Sequence, residues 1–204
     1  MSYHISDPSD ISIHRRFHRK FLSGIDFPET SDTNISIVTP SSSSAEQKKV
    51  REVLEVVDSE LSAAAIPEKN LWAGGYKVFL YVAQGKVVGL LLAERIESAF
   101  LARGIGSVEL GERRRAVMGV SRVWTAKEWR RMGVAKKLLD EACERFVYGM
   151  RLGRGEVAFS QPTESGGWLA RGWVYGKAEG DGGAREDTAK SSGGDGWLVY
   201  VERE

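Results

Sequence analysis

VWTAKEWRRMGVAKKLLDEA, residues 123–142, passes from β-forming residues into an amphipathic helix through a basic turn, RRMGVA, that holds the only glycine of the stretch. After the turn Ala135, Leu138, Leu139, Ala142, Cys143 and Phe146 recur at helical intervals, which predicts a helix over about 130–149. Before it, AVMGVSRVWT (116–125) predicts a strand. A helix start leaves backbone N–H groups unpaired and carries partial positive charge, so it favours anions. Glycine there lets a bulky ligand approach the backbone, and arginines add forked donors suited to phosphate. The turn is therefore either a cradle for phosphate or pyrophosphate, or a solvated helix start whose glycine merely packs. It is neither of the two common phosphate loops, because G-x-x-x-x-G-K-[ST] and G-x-G-x-x-G are both absent.

Working outward, NISIVT (34–39) reads as a strand stopped by Pro40 and a serine run. Ser44 and Gln47 have capping-box spacing, and Val50, Val53, Leu54, Val57 and Leu61 predict a helix over about 46–64. YKVFLYVA (76–83) and KVVGLLLAE (86–94) read as strands joined across Gln84-Gly85, a hairpin signal. Residues 98–115, rich in Gly, Arg and Glu, read as an insertion. EVAFS (156–160) is a further strand, and PTESGGWLARGW starts a short helix with Pro162 near its first turn. Residues 176–196 read as a flexible loop, and WLVYVE (197–202) as the closing strand. This order predicts one α/β (α+β) domain with a mixed central sheet flanked by helices.

The bounds agree. A chain of 204 residues can bury a sizeable core. Its net charge of +1 supplies no overall field toward nucleic acid or membrane. The single cysteine, Cys143, excludes an internal disulfide framework. No apolar run approaches the roughly 18 residues of a membrane span, and MSYHISDPSD lacks a signal-peptide pattern. These features predict an intracellular protein.

R-x-x-G-x-A (Arg130, Gly133, Ala135) between strand and helix resembles the acetyl-CoA signature of GNAT acetyltransferases. GVSRVW (119–124), ERFVYGMRL (144–152) and EVAFSQPTESGGWLA (156–170) resemble the catalytic domain of the cohesin acetyltransferases more specifically. QKKVREVLEVVDSEL and KVFLYVAQGKVVGLLLAERI match that family's first helix and hairpin, so the likeness spans about 46–202. It implies a GNAT fold and transfer of acetyl from acetyl-CoA to lysines on the cohesin SMC head, establishing sister-chromatid cohesion in the nucleus. It also implies the replication sliding clamp as a partner, with no membrane and no direct sequence-specific binding of nucleic acid. His14-Arg-Arg-Phe-His18 and Phe21-Leu22 look like the second half of the family's zinc finger. The sequence has no Cys-x-x-Cys, and two histidines do not complete a tetrahedral zinc site. Residues 1–33 are thus expected as a poorly ordered finger remnant and linker, with residues 34–204 as the acetyltransferase domain.

The same match assigns site residues. Val123, Trp124 and Thr125 would line the cofactor on the strand. Arg131, Met132, Gly133, Val134, Ala135 and Lys136 would wrap the pyrophosphate, and Thr163, Glu164 and Ser165 would close on the cofactor. Ser121 matches a serine near the acceptor lysine; read alone it is an ordinary strand serine. Animal members read Ser-Asp-Pro-Thr where this chain reads Ser160-Gln161-Pro162-Thr163, and that aspartate is the residue usually assigned to lysine deprotonation. A glutamine amide accepts no proton at neutral pH, so deprotonation would run through water or a carboxylate such as Glu164. Two other readings stay open: a GNAT acting on another amine, such as a histone tail or polyamine, and a module that binds acetyl-CoA with little turnover. A nucleic-acid arm built on HRRFHRK and Arg113-Arg114-Arg115 is weaker, for no aromatic stacking platform accompanies those charges.

Overall fold

The structure, a computed structural model, describes residues 8–27, 34–73, 75–103, 109–160, 163–176 and 196–201. Its first elements are helix α1 (Pro8–Ser23), strands β1 (Ile25–Asp26) and β2 (Ile35–Val38), and helices α2 (Ser44–Leu61) and α3 (Glu68–Leu71). Strands β3 (Tyr76–Ala83), β4 (Lys86–Arg95), β5 (Ser98–Arg103), β6 (Glu109–Arg115) and β7 (Met118–Thr125) follow. Helix α4 (Val134–Arg145), strand β8 (Val157–Ser160), helix α5 (Glu164–Tyr175) and strand β9 (Trp197–Tyr200) complete the order. The chain forms two compact units, residues 1–95 with 120–151, and residues 96–119 with 152–204. Gln161, Pro162 and all but the two ends of the loop expected over 176–196 lie outside the described residues.

In the first unit the strands lie in the order β2-β3-β4-β7, with β1 also on β4. β3 and β4 are antiparallel, Leu80 opposite Leu90, and turn at Gln84-Gly85 with φ of 52° and 69°. Two positive φ values give the two-residue turn whose twist suits a hairpin. β4 is buried from Val87 through Glu94, which is why its sequence is almost continuously apolar. Helix α4 packs on β3 and β4. The approach is closest at Gly89, where a Cβ would lie 2.6 Å from Val134 Cγ1. The helix begins at Val134, since 130–133 form the turn, and Val134 takes the first buried position in place of the half-buried Ala135.

Residues 8–23, read from sequence as part of an irregular arm, form α1. Phe21 and Leu22 are half-buried while Arg15, His18 and Arg19 are exposed. Lys20 pairs with Glu52 of α2, and Lys86 Nζ donates to Ser23 Oγ at 3.1 Å. Lys20, then Lys49, hold the Glu52 carboxyl below the usual carboxylate range. A carboxylate lowered in the folded state adds stability above its ordinary pKa, and that contribution is lost as pH falls through the lowered value.

The second unit has strand order β8-β9-β5-β6. β8 and β9 are parallel, with Phe159 opposite Val199, and β9–β5 and β5–β6 are antiparallel, so this sheet is mixed. Residues 98–115, expected as an insertion, contribute β5 and β6. Ala99 and Leu101 of β5 join Ala158, Leu198 and Tyr200 in an apolar cluster. β6 (ELGERRR) is exposed along nearly its whole length and ends the strand order. An edge strand needs only a backbone partner, and charge on it discourages pairing with other chains, so composition hid it. Helix α5 packs on β9, with Trp173 buried and its ring centroid 6.3 Å from that of Phe159.

The cap of α2 lies one residue earlier than the spacing suggested. Glu46 N–H donates to Ser43 Oγ at 3.3 Å, and Ser43 N–H donates to Glu46 Oε2 at 3.0 Å. Gln47 instead donates to the carbonyls of Pro40 and Ser42, at 3.0 and 3.1 Å. A carboxylate is the stronger acceptor beside a helix start, so Glu46 takes the box. Ser43→Ala should therefore cost about 1 kcal/mol and Ser44→Ala less than about 0.5 kcal/mol, measured by urea unfolding. The opposite ranking would return the cap to Ser44.

Candidate functional site

Strand β7 ends at Thr125, and Ala126 N–H donates to Val88 O at 2.9 Å. One 3-10 turn, Lys127–Trp129, leads to Arg130 and the basic turn. Arg131 has φ of 65° and Gly133 has φ of 80°, both left-handed, and Gly133 is the N-cap of α4. No side chain caps this start, and its first turn holds no acidic residue. The first intrahelical bond runs from Lys137 N–H to Gly133 O at 3.0 Å. The amides of Val134, Ala135 and Lys136 consequently have no partner within the helix. A Cβ at Gly133 would meet nothing within 4 Å. Packing is therefore not what requires glycine here: the backbone conformation does, and the open space admits a ligand. Arg131, Met132 and Lys136 are exposed around it. Of the two alternatives for the turn, the geometry favours the anion cradle.

The two arginines differ. Arg130 donates from Nε to Thr125 O at 3.1 Å, pairs with Glu60, and lies with its guanidinium carbon 5.8 Å from the Phe21 ring centroid. Arg131 reaches into solvent.

On β7 successive side chains alternate between faces. Trp124 is 3% exposed and its indole N–H donates to Glu60, so this residue is packed against α2, while Val123 and Thr125 are half-buried. Ser121 is buried, and its Oγ accepts from Arg122 Nη1 at 3.0 Å. Arg122 in turn donates from Nε to Asp58 Oδ1 at 3.1 Å and from Nη2 to Ala64 O at 3.1 Å. A hydroxyl that accepts from a guanidinium keeps its own O–H as a donor, polarised by the neighbouring charge. Asp58 and Glu60, which organise this strand from α2, were not found from sequence. Both act across 64 residues, on Arg122 and Trp124, and no local pattern announces such a pairing.

In the second unit Thr163 is the N-cap of α5, its Oγ1 accepting from Gly166 N–H at 3.2 Å. Glu164 and Ser165 occupy the exposed first turn. Ser121, Val123–Thr125 and Arg131–Lys136 thus belong to the first unit, and Thr163–Ser165 to the second. His14 and His18 sit one turn apart on α1 with ring centroids 4.4 Å apart. Among the described residues no group of three or more His, Cys, Asp or Glu is placed to hold a metal. Two imidazoles supply half of a structural zinc's ligands, so the described residues do not fit that ion.

A mixed α/β fold with a left-handed glycine opening an uncapped helix after a strand defines the class: this is a GNAT acetyltransferase fold. The sequence pattern of the ESCO1/2 acetyl-transferase family matches residues 114–179. N-acetyltransferase eso1 of Schizosaccharomyces pombe is 34% identical over 85% of this chain and 22% of its own length. N-acetyltransferase ECO1 of Yarrowia lipolytica is 35% identical over 85% of this chain and 65% of its own. The structure of the xEco2 acetyltransferase domain bound to a CoA conjugate aligns with a TM-score of 0.69 and 27% identity, covering 87% of this chain and 96% of that one. The chain is thus similar to the ESCO1/2 acetyltransferases, and it spans less than two thirds of either of these curated relatives. No described helix is long and apolar enough to cross a membrane.

The Asp58–Arg122 pair sets the position of Ser121, with side chains 12% and 8% exposed. Asp58→Ala removes a carboxylate partner of the buried Arg122 guanidinium and should cost about 3 kcal/mol of stability by urea unfolding. A loss below about 1 kcal/mol would show that the other partners of Arg122, the carbonyls of Ser121 and Ala64 among them, suffice to hold it.

Proposed function

We propose that this chain is a protein-lysine N-acetyltransferase that moves acetyl from acetyl-CoA to lysines on the head of the cohesin SMC subunit. The observation that carries the reading is Gly133, left-handed, uncapped by any side chain and open to ligand. The amides of Val134, Ala135 and Lys136, with Arg131, hold the pyrophosphate of coenzyme A. The β7 backbone at Val123 steadies the thioester oxygen as charge develops on it. The family resemblance assigns further cofactor contacts to Thr163, Glu164 and Ser165 of the second unit. The neutral lysine nitrogen attacks the thioester carbon, the carbon–sulfur bond of the adduct breaks, and the thiolate leaves with the second proton, the one that the newly bonded nitrogen sheds.

Free lysine has a pKa of about 10.4, so a first proton has to pass from the ammonium to a base before attack. Ser121 contributes a polarised hydroxyl on the acceptor side, and Gln161 an acceptor for the ammonium N–H. Neither takes a proton at neutral pH, which leaves water or Glu164 as the base. The family resemblance supplies the substrate, and with it the replication sliding clamp as partner and the nucleus as compartment.

The test is mass spectrometry of a cohesin-head fragment incubated with the chain and labelled acetyl-CoA. Label on a head lysine is expected, and it should fall with Arg131→Ala, which removes an exposed phosphate donor and leaves the left-handed backbone of Gly133 as it is, while near-UV circular dichroism keeps its native form. Transfer to histone tails or polyamines instead would move the activity to another amine. Cofactor binding without transfer to any of these would make the chain a binding module.

Residue 161 has its own expectation. Gln161→Asp restores a carboxylate able to take the proton, so turnover should rise or hold. Gln161→Ala should cost about 1 kcal/mol of transition-state stabilisation, several-fold in rate. Parent rates for both variants would remove residue 161 from the acceptor site.

A further inference from the structure

We infer that Glu60 is a positioning residue for the cofactor turn, acting through Arg130. This rests on the reading that the turn holds acetyl-CoA. The turn combines two left-handed residues with a helix start that no side chain caps. Nothing inside it enforces that shape, so the restraint comes from outside. Among the described residues the side-chain hydrogen bonds that tether the turn are those of Arg130, to Thr125 O and to Glu60 Oε1. The other oxygen, Glu60 Oε2, accepts the indole N–H of Trp124. One carboxylate therefore spans the end of β7 and the start of the turn, each oxygen taken by a different donor. It projects from the last turn of α2, is 18% exposed, and is fixed in register by Asp58, which grips Arg122 two residues before Trp124.

This explains why two arginines stand together. The Arg130 guanidinium is committed to the protein, its flank against Phe21, and sets the path of the chain. Arg131 is left exposed to meet phosphate. A charge-assisted pair of this kind is directional, and a shift of about an ångström in the following amides is enough to weaken a multidentate anion site.

Glu60→Gln presents one acceptor and one amide donor to two donors, and so cannot serve both. Arg130→Lys keeps charge but loses the fork. Calorimetry of acetyl-CoA binding on the full chain should show each variant roughly tenfold weaker than the parent, and the double variant no weaker than either single. In steady state the KM for acetyl-CoA should rise about as much, with the KM for the lysine peptide unchanged. Arg130→Lys leaves the Glu60–Trp124 bond in place and carries the test if Glu60→Gln does not fold. Variants that melt earlier yet bind acetyl-CoA as the parent does, or a double variant that loses the sum of both effects, would overturn the inference by showing a stability contact. A parent chain that does not bind acetyl-CoA would overturn the cofactor-turn reading itself, and this inference with it.

Discussion

A strand must end and a helix must begin within a few residues, and the first amides of that helix must stay unpaired. The structure around α4 answers that demand. An ordinary helix start satisfies its amides with a Ser, Thr, Asp or Asn side chain, as Ser43 does for α2 and Thr163 for α5. The start of α4 has Gly133 instead, in the left-handed region that glycine tolerates best. The helix must then be held by other means. Gly89 supplies one, letting Val134 and Leu138 sit directly on β4. The carboxylates of α2 supply another, through Arg122, Trp124 and Arg130. The unsatisfied amides are tolerated because solvent, or an anion, completes them.

Charge is arranged locally in the same way. The chain as a whole carries only +1. Acidic residues are spent on particular partners: Asp58 on Arg122, Glu60 on Arg130, Glu52 on Lys20 and Lys49. What the turn exposes is Arg131 and Lys136, with no acid in the first turn of α4 to offset them. A patch of that size steers an anionic ligand only over a Debye length of about 8 Å at physiological salt.

Much of this was legible in the sequence where the physics is local. The β3–β4 hairpin follows from two apolar runs around Gln84-Gly85, and the face of α4 from its spacing. The cofactor turn is one contiguous stretch, so strand, glycine and helix could be read together. Legibility failed where a partner distant in sequence decides. β6 looks like a hydrophilic insertion because an edge strand draws its order from β5 and not from burial. The helix at 8–23 looks like a basic arm because Phe21 and Lys20 find their partners in Arg130 and Glu52. The α2 cap slipped by one residue because two serines offered the same spacing and only the chemistry of Glu46 against Gln47 separates them.

The two halves of the reaction divide along that same line. Holding a pyrophosphate draws on backbone amides that every sequence has, so it needs only a permitted conformation and open space, and Gly133 marks both. Removing a proton from lysine draws on a particular side chain with a particular pKa, and spacing says nothing about that. Ser121 read alone was an ordinary strand serine, and only Arg122 beside it, itself held by Asp58, gives the hydroxyl a polarising neighbour. A serine hydroxyl can hydrogen-bond an amine but does not take its proton at neutral pH. Among the residues that the family resemblance assigns, the one carboxylate is Glu164, exposed at the opening of α5, and it was singled out by that resemblance and not by any spacing.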